Sequence, residues 1–223
     1  MARGYKKPLI IITTLAGITG CVVDIGGTFI FGNRIPGYNQ FMHTMSQMGI
    51  VSSPVFREIV ICWITMGVLM ILFGIGIRLA YEDQKKWASI ACVLVILYGF
   101  GEGMVSGIFP ADKVGEAHTL TGLVHDGIGG IGVTAIMIFP LVMNKIEPKL
   151  RMLTIIVFFI GAVGVVLFGI GRLVSNPDSF LAVYKGSWQR LYVMVYYLYV
   201  VIIATKMMCC RSQMQKALDH SGS

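Results

Sequence analysis

Phe109–Asp126 reads FPADKVGEAHTLTGLVHD. It crowds Asp112, Glu116, His118, His125 and Asp126 into one stretch between two long apolar runs. Crossing a hydrocarbon core as a helix takes about 20 apolar residues, so the flanking runs read as membrane spans. An ionisable group at the edge of a span, or within it, costs free energy unless it meets a partner or a wet cavity, and this marks the stretch as a candidate functional site.

Working outward, the same alternation covers the chain. Of 223 residues, 56% are hydrophobic and only 13% charged; a soluble domain carries about 25% charged residues. The apolar residues fall in six blocks, about 8–31, 56–80, 87–109, 119–143, 152–174 and 190–208. The expected fold is all-α: one polytopic bundle of six transmembrane helices over 1–210, then a loose polar tail over 211–223. No length remains for a soluble domain. The first run follows Lys6 and Lys7, but it is too long for a signal-peptide core and no small-residue cleavage site follows, so it reads as a retained span.

The net charge of +7 arises from 18 Lys and Arg spread over the loops, which argues against a nucleic-acid partner. Six spans put both termini on one side. Twelve of the 18 basic residues lie on that side, and Arg34, Arg57, Lys113, Arg172, Lys185 and Arg190 on the other. The positive-inside rule then predicts cytoplasmic termini in the cell membrane, with loops 32–55, 109–118 and 175–187 facing outward.

This topology sorts the membrane charges by depth. Asp24, Glu102, His125 and Asp126 lie about seven residues inside the outer ends of their spans, about 10 Å deep at 1.5 Å per residue. Arg172 and Arg190 close or open spans at the same face. Asp24, Glu102, His125, Asp126, Arg172 and Arg190 are therefore the expected lining of a ligand-binding pocket in the outer leaflet, open outward. The competing reading is structural: ion pairs such as Asp24 with Arg172 holding the bundle together.

A second constellation crosses loops. GYNQFMHTMSQMG supplies His43 and Ser46, and the Phe109 stretch supplies Asp112 and His118. These four are candidate catalytic residues, as a nucleophile with bases or a metal with water. His43, Asp112 and His118 are the candidate ligands for a divalent metal such as zinc. His118 and His125 stand seven residues apart, which on one helix separates them by about 10 Å, so one zinc cannot take both unless Gly122 breaks the helix. Met42, Met45 and Met48 beside His43 also admit copper(I), though in a chain with 14 Met packing against lipid or protein is the better explanation.

The remaining signals are structural. No cysteine pair has metal-type spacing; Cys21, Cys62 and Cys92 read as apolar filler, and Cys209 and Cys210 as filler or juxtamembrane acylation sites. Gly99, Gly103 and Gly107 recur every four residues, a spacing that lets helices approach closely. LFGIGIRL at Leu72–Leu79 echoes LFGIGRL at Leu167–Leu173, as an inverted repeat would, although chance alone supplies seven apolar-rich letters. Tyr192, Tyr196, Tyr197 and Tyr199, with Trp188, read as an interfacial aromatic belt.

Ser46-x-x-Gly49 in a long first loop, Phe109-Pro110-x-Asp112 with a following His118, and Gln189-Arg190 opening the last span together resemble one prokaryotic six-helix membrane family, catalogued as domain of unknown function 998. The resemblance runs over nearly the whole chain. It implies the same fold and topology and no established activity. More distantly the design is similar to membrane hydrolases built on Ser, Asp and three His, although the last two His here are seven apart. Three readings stay open: a lipid-facing enzyme, hydrolase or acyl-transfer catalyst; a transporter or binding protein for an ion or small molecule; a scaffold or immunity-type protein without chemistry. The expected partners are membrane lipids and a lipid or small-molecule ligand.

Overall fold

The computed structural model describes residues 3–113 and 117–221, with side chains for 8–113 and 117–208. Glu116 and the side chains of Cys209 and Cys210 lie outside these. Among the described residues there are helices and no strand. Six helices are long and apolar enough to span a membrane: Pro8–Gly32, Phe56–Ala80, Glu82–Ile108, Leu120–Ile146, Pro148–Leu173 and Lys185–Met208. This is a multi-pass membrane protein. In lipid a helix satisfies its own backbone groups, which is why runs of Val, Ile and Phe that favour strands in water are helical here.

Each span packs on its neighbours in sequence, and the sixth returns to the first, so the helices form a closed up-and-down ring. The core runs down the middle, with Tyr98, Phe139, Tyr197 and Tyr199 fully enclosed. Glycines set the tightest crossing. The backbones of Gly67 on the second span and of Gly99 and Gly103 on the third meet so closely that a Cβ at any of them would collide with the opposite main chain. The fifth span sits furthest out, with only 22% of its apolar window buried.

Loops 33–55, 109–119 and 174–184 share one end of the ring, called the loop end below; carbonyls of the first loop accept bonds from the start of the sixth span. That first loop is built rather than slack. It contains a 3-10 turn, Met45–Gly49, opened by a capping box between Thr44 and Gln47. Two sequence expectations are corrected, and the place of His118 is settled. The tail is helical to Ser221 rather than loose, as its Gln, Met, Lys, Ala and Leu content favours. The tyrosines of the sixth span form no belt: Tyr192, Tyr196, Tyr197 and Tyr199 are buried in the ring. The fourth helix starts at Leu120, so His118 is not on it and shares no helical face with His125.

Candidate functional site

The site begins where the third span widens. Over Gly99–Val105 its turns widen to a π-helix, a local form that recurs at functional sites. The glycines there give little side-chain bulk, and Glu102 is the one acid among them. Its carboxylate turns towards the fourth span and lies against Gly129, where a Cβ would come within 3.2 Å of Glu102 Oε1 and 3.3 Å of Ser106 Oγ. Gly132 makes the same allowance for the main chain of Glu102. Ser106 Oγ donates to Gly101 O at 3.1 Å and ties off a carbonyl of the widened turn.

Asp24 arrives from the first span and is 2% exposed. One carboxylate oxygen, Oδ2, accepts from Tyr197 Oη at 2.7 Å, and that hydroxyl pairs with Tyr98 Oη at 2.7 Å. The other oxygen, Oδ1, is buried without a hydrogen-bond partner. His125 comes from the fourth span. Its Nδ1 meets Phe109 O at 2.9 Å, so Nδ1 carries the proton and Nε2 keeps its lone pair in the neutral ring. Trp63 packs edge-on against the imidazole.

These groups converge. Asp24, Glu102, Ser106, His125, Tyr98 and Gln189 line one cavity with Trp63, Met66 and Val193, and Met45 and Ser46 of the first loop close it. Its volume is ≈ 20 Å³, room for about one water-sized guest. The lining holds two carboxylates and no Lys or Arg.

The first loop is fastened over this cavity by the sixth span. Met45 N donates to Gln189 Oε1 at 2.6 Å. Arg190, 8% exposed, donates to His43 O at 2.8 Å, Gly186 O at 3.1 Å and Tyr38 Oη at 2.8 Å, and it also reaches Gln40 Oε1. Ser187 N and Oγ both donate to Phe41 O. Gly186 sits against the carbonyls of Gln40 and His43, and a Cβ there would strike them.

The structure therefore divides the expected residues into groups. Asp24, Glu102 and His125 meet, and Ser46 joins them. Arg190 does not line the cavity but holds its cover. Arg172 forms a bidentate pair with Asp126, at 2.9 and 2.6 Å, on the outer side of spans four and five. The expected structural pair of Asp24 with Arg172 is thus not the one formed. Asp112 accepts from Thr119 N at 3.0 Å and from Thr119 Oγ1 at 2.6 Å. Those two bonds hold its carboxyl below the usual carboxylate range, with His118 adding less. His118 Nδ1 is 3.7 Å from Asp112 and its side chain is 75% exposed. His43 stacks on Tyr38 and its Nδ1 accepts from Asn39 N.

His43, Asp112 and His118 thus occupy separate local networks. Among the described residues no three His, Cys, Asp or Glu side chains stand where one metal ion could be held. That trio, expected as a zinc site, is not assembled. The reason is the cap: Thr119 accepts from Gly122 N to start the fourth helix, and Asp112 is spent on Thr119. Met45 and Met48 are buried while Met42 points out, so the methionines surround no common point.

A family model described as "protein of unknown function (DUF998)" matches residues 18–206. The chain belongs to this family. No curated protein and no solved structure matches it. All the cavity-lining residues fall within the family match. Sequence reasoning missed Tyr197 and Tyr98, the partners that hold Asp24, and Gln189 and Ser106. Gln189 was visible in the Gln189-Arg190 pair; nothing in the spacing of tyrosines along the sixth span distinguishes a core network from a membrane belt.

Proposed function

We propose that this protein binds a small cationic or proton-donating solute in the cavity shared by Asp24, Glu102 and His125, as a carrier or membrane receptor. One observation carries the reading. Asp24 lines that cavity with its Oδ1 buried and without a hydrogen-bond partner among the described residues, and the other lining groups include a second carboxylate and no Lys or Arg. An unpaired buried acid costs several kcal/mol unless it is protonated or meets a cation. A cavity of ≈ 20 Å³ suits an alkali ion, an ammonium group or a proton with its water, and excludes a whole lipid. Loop one is the way in, from the outside in the topology that the basic residues favour.

The test is a ligand panel on the purified full chain in lipid nanodiscs. Sodium, potassium, ammonium and ethanolamine are titrated while thermal unfolding is followed. A ligand at 100 times its Kd stabilises the folded state by about 2.7 kcal/mol. At least one panel member should raise the unfolding temperature of the wild type, and neither Asp24→Asn nor Glu102→Gln should respond. A panel without effect, or a response retained in both variants, would sink the idea.

A second reading rests on Ser46 and His125, which line the same cavity. With Nδ1 held by the Phe109 carbonyl, His125 Nε2 is the free base that a serine nucleophile requires. Lipid hydrolysis or acyl transfer by this pair predicts loss of turnover in Ser46→Ala with cation binding intact. Unchanged lipid turnover in that variant removes the catalytic reading.

A further inference from the structure

A second cavity lies at the loop end, about 350 Å³ in volume, and it shares no lining residue with the first. The volume falls in the range of small-molecule sites, about 300–1,000 Å³. Loop one supplies nearly all of the wall. Ile35, Pro36, Ile50 and Pro54 are its apolar part, and Tyr38, His43, Gln47, Ser52 and Ser53 its polar part. Lys113 also touches the cavity but is already engaged, so it plays no part in recognition here. No Asp, Glu or Arg lines the cavity. A charged guest would leave water without meeting a free counter-charge, at a cost of several kcal/mol. The guest that fits is neutral.

The hydrogen bonds already made show which atoms are left to recognise it. Asn39 N donates to His43 Nδ1 at 2.9 Å, so in the neutral ring the proton sits on Nε2. The 3.3 Å approach of the same Nδ1 to Asn39 O is the weaker contact and does not alter that assignment. Gln47 Oε1 accepts from Thr44 N at 3.1 Å, and the NH₂ of Gln47 has no partner among the described residues. Ser53 Oγ accepts from Val55 N, and a hydroxyl that accepts still has its own proton to give. Ser52 is exposed, and its hydroxyl makes no bond among the described residues. Tyr38 Oη is spent, since it accepts from Arg190 and donates to Thr44 O. The free groups are therefore imidazole, amide and hydroxyl donors beside apolar carbons. Their complement is a molecule rich in acceptors and poor in donors.

We propose that this cavity binds the glycerol diester of a membrane lipid, with His43 Nε2, the Gln47 NH₂ and the Ser52 and Ser53 hydroxyls donating to ester oxygens, and Ile35, Pro36, Ile50 and Pro54 against the glycerol and first acyl carbons. Ester carbonyls and bridging oxygens accept hydrogen bonds and donate none, which matches this wall. Position selects a lipid as the source of the ester. The cavity lies just beyond Gly32 and Phe56, where spans one and two end. Past the hydrocarbon core comes the interfacial layer, where lipid ester groups sit. Recognition falls on the ester backbone, so the head group is free to vary. This site is independent of the Asp24 cavity and would persist if that site bound no solute.

The experiment uses the full chain in detergent, with native mass spectrometry counting bound diacylglycerol, the dialkyl ether of glycerol with the same chain lengths, and phosphatidylglycerol with the same tails. Triacetin, a water-soluble glycerol ester, is titrated separately by calorimetry. The wild type should hold the diester about twentyfold more tightly than the diether, the scale of two neutral hydrogen bonds. It should hold phosphatidylglycerol as tightly as diacylglycerol. Gln47→Glu keeps the oxygen that Thr44 N binds and removes the NH₂. Ser52→Ala removes a hydroxyl that holds nothing in the loop. Each should weaken retention of the diester about fivefold, the scale of one such bond, and leave the diether unchanged. Lys149→Ala, at the opposite end of the ring, should change neither. Equal retention of diester and diether, or full diester retention in Gln47→Glu and Ser52→Ala alike, would overturn the proposal. So would retention of phosphatidylglycerol without diacylglycerol, or binding of triacetin without retention of diacylglycerol.

Discussion

Asp24→Asn separates a residue kept for function from one kept for the fold. In the wild type, Asp24 Oδ2 accepts from Tyr197 and Oδ1 is an orphan. The amide keeps an oxygen for Tyr197 and removes the charge. Replacing buried charges by uncharged groups is neutral or gains about 1–4 kcal/mol. Against this, the Tyr197 bond falls from a charged to a neutral hydrogen bond, a loss of about 1 kcal/mol, and the new NH₂ adds about 1 kcal/mol of unmet donor. The expected net effect lies between about 2 kcal/mol of destabilisation and about 2 kcal/mol of stabilisation. For a chain of this size that is a shift of at most about 4–8 °C in unfolding temperature in either direction. Thermal unfolding in nanodiscs, with and without the cation found in the panel, measures both halves. Tyr197→Phe is the comparator: it strips Asp24 of the one side-chain hydrogen bond it accepts among the described residues and should lower stability by about 1–3 kcal/mol. If Asp24→Asn destabilises by more than about 2 kcal/mol and still responds to the cation, Asp24 is a structural acid and the reasoning is wrong.

The other predictions concern the cover, the cap and the glycines. Arg190→Met removes three hydrogen bonds to the first loop at once, so amide exchange at Tyr38–Met48 should accelerate more than tenfold while the spans stay protected; unchanged exchange would mean the loop stands without its latch. Thr119→Val removes the cap on Gly122 N and one of the two bonds to Asp112, the hydroxyl's, and should cost the first turn of the fourth span about 1 kcal/mol, read as faster exchange at Leu123 and Val124. Because the Thr119 bonds lower the folded pKa of Asp112 below its unfolded value, they stabilise this segment above an unfolded pKa of about 4. That contribution is lost as pH falls from there through the folded value, so the Thr119 amide shift should titrate only at acid pH; a midpoint above 4 would contradict it. Gly103→Ala, which sets a Cβ on the Gly67 main chain, should not yield folded protein, whereas Gly127→Ala, with nothing within 4 Å, should behave as wild type. Comparable yields of the two would refute the close crossing of spans two and three.

Composition and block length alone determined the six spans, because the hydrocarbon core dictates how many apolar residues a helix must supply and leaves the backbone no alternative. The same reasoning found Asp24, Glu102 and His125, since a charge at membrane depth needs a reason wherever it lies in the chain. Tertiary structure decided which charges meet. Asp126 follows His125 directly, yet one lines the cavity and the other pairs outside with Arg172, because successive helical residues diverge by 100°. Asp112 and His118 looked as promising as any pair, but Thr119 captured the carboxylate to start a helix. Ser46 and Arg190 took their places only when the first loop folded over the sixth span. That contact joins residues more than 140 apart, and no local spacing records it.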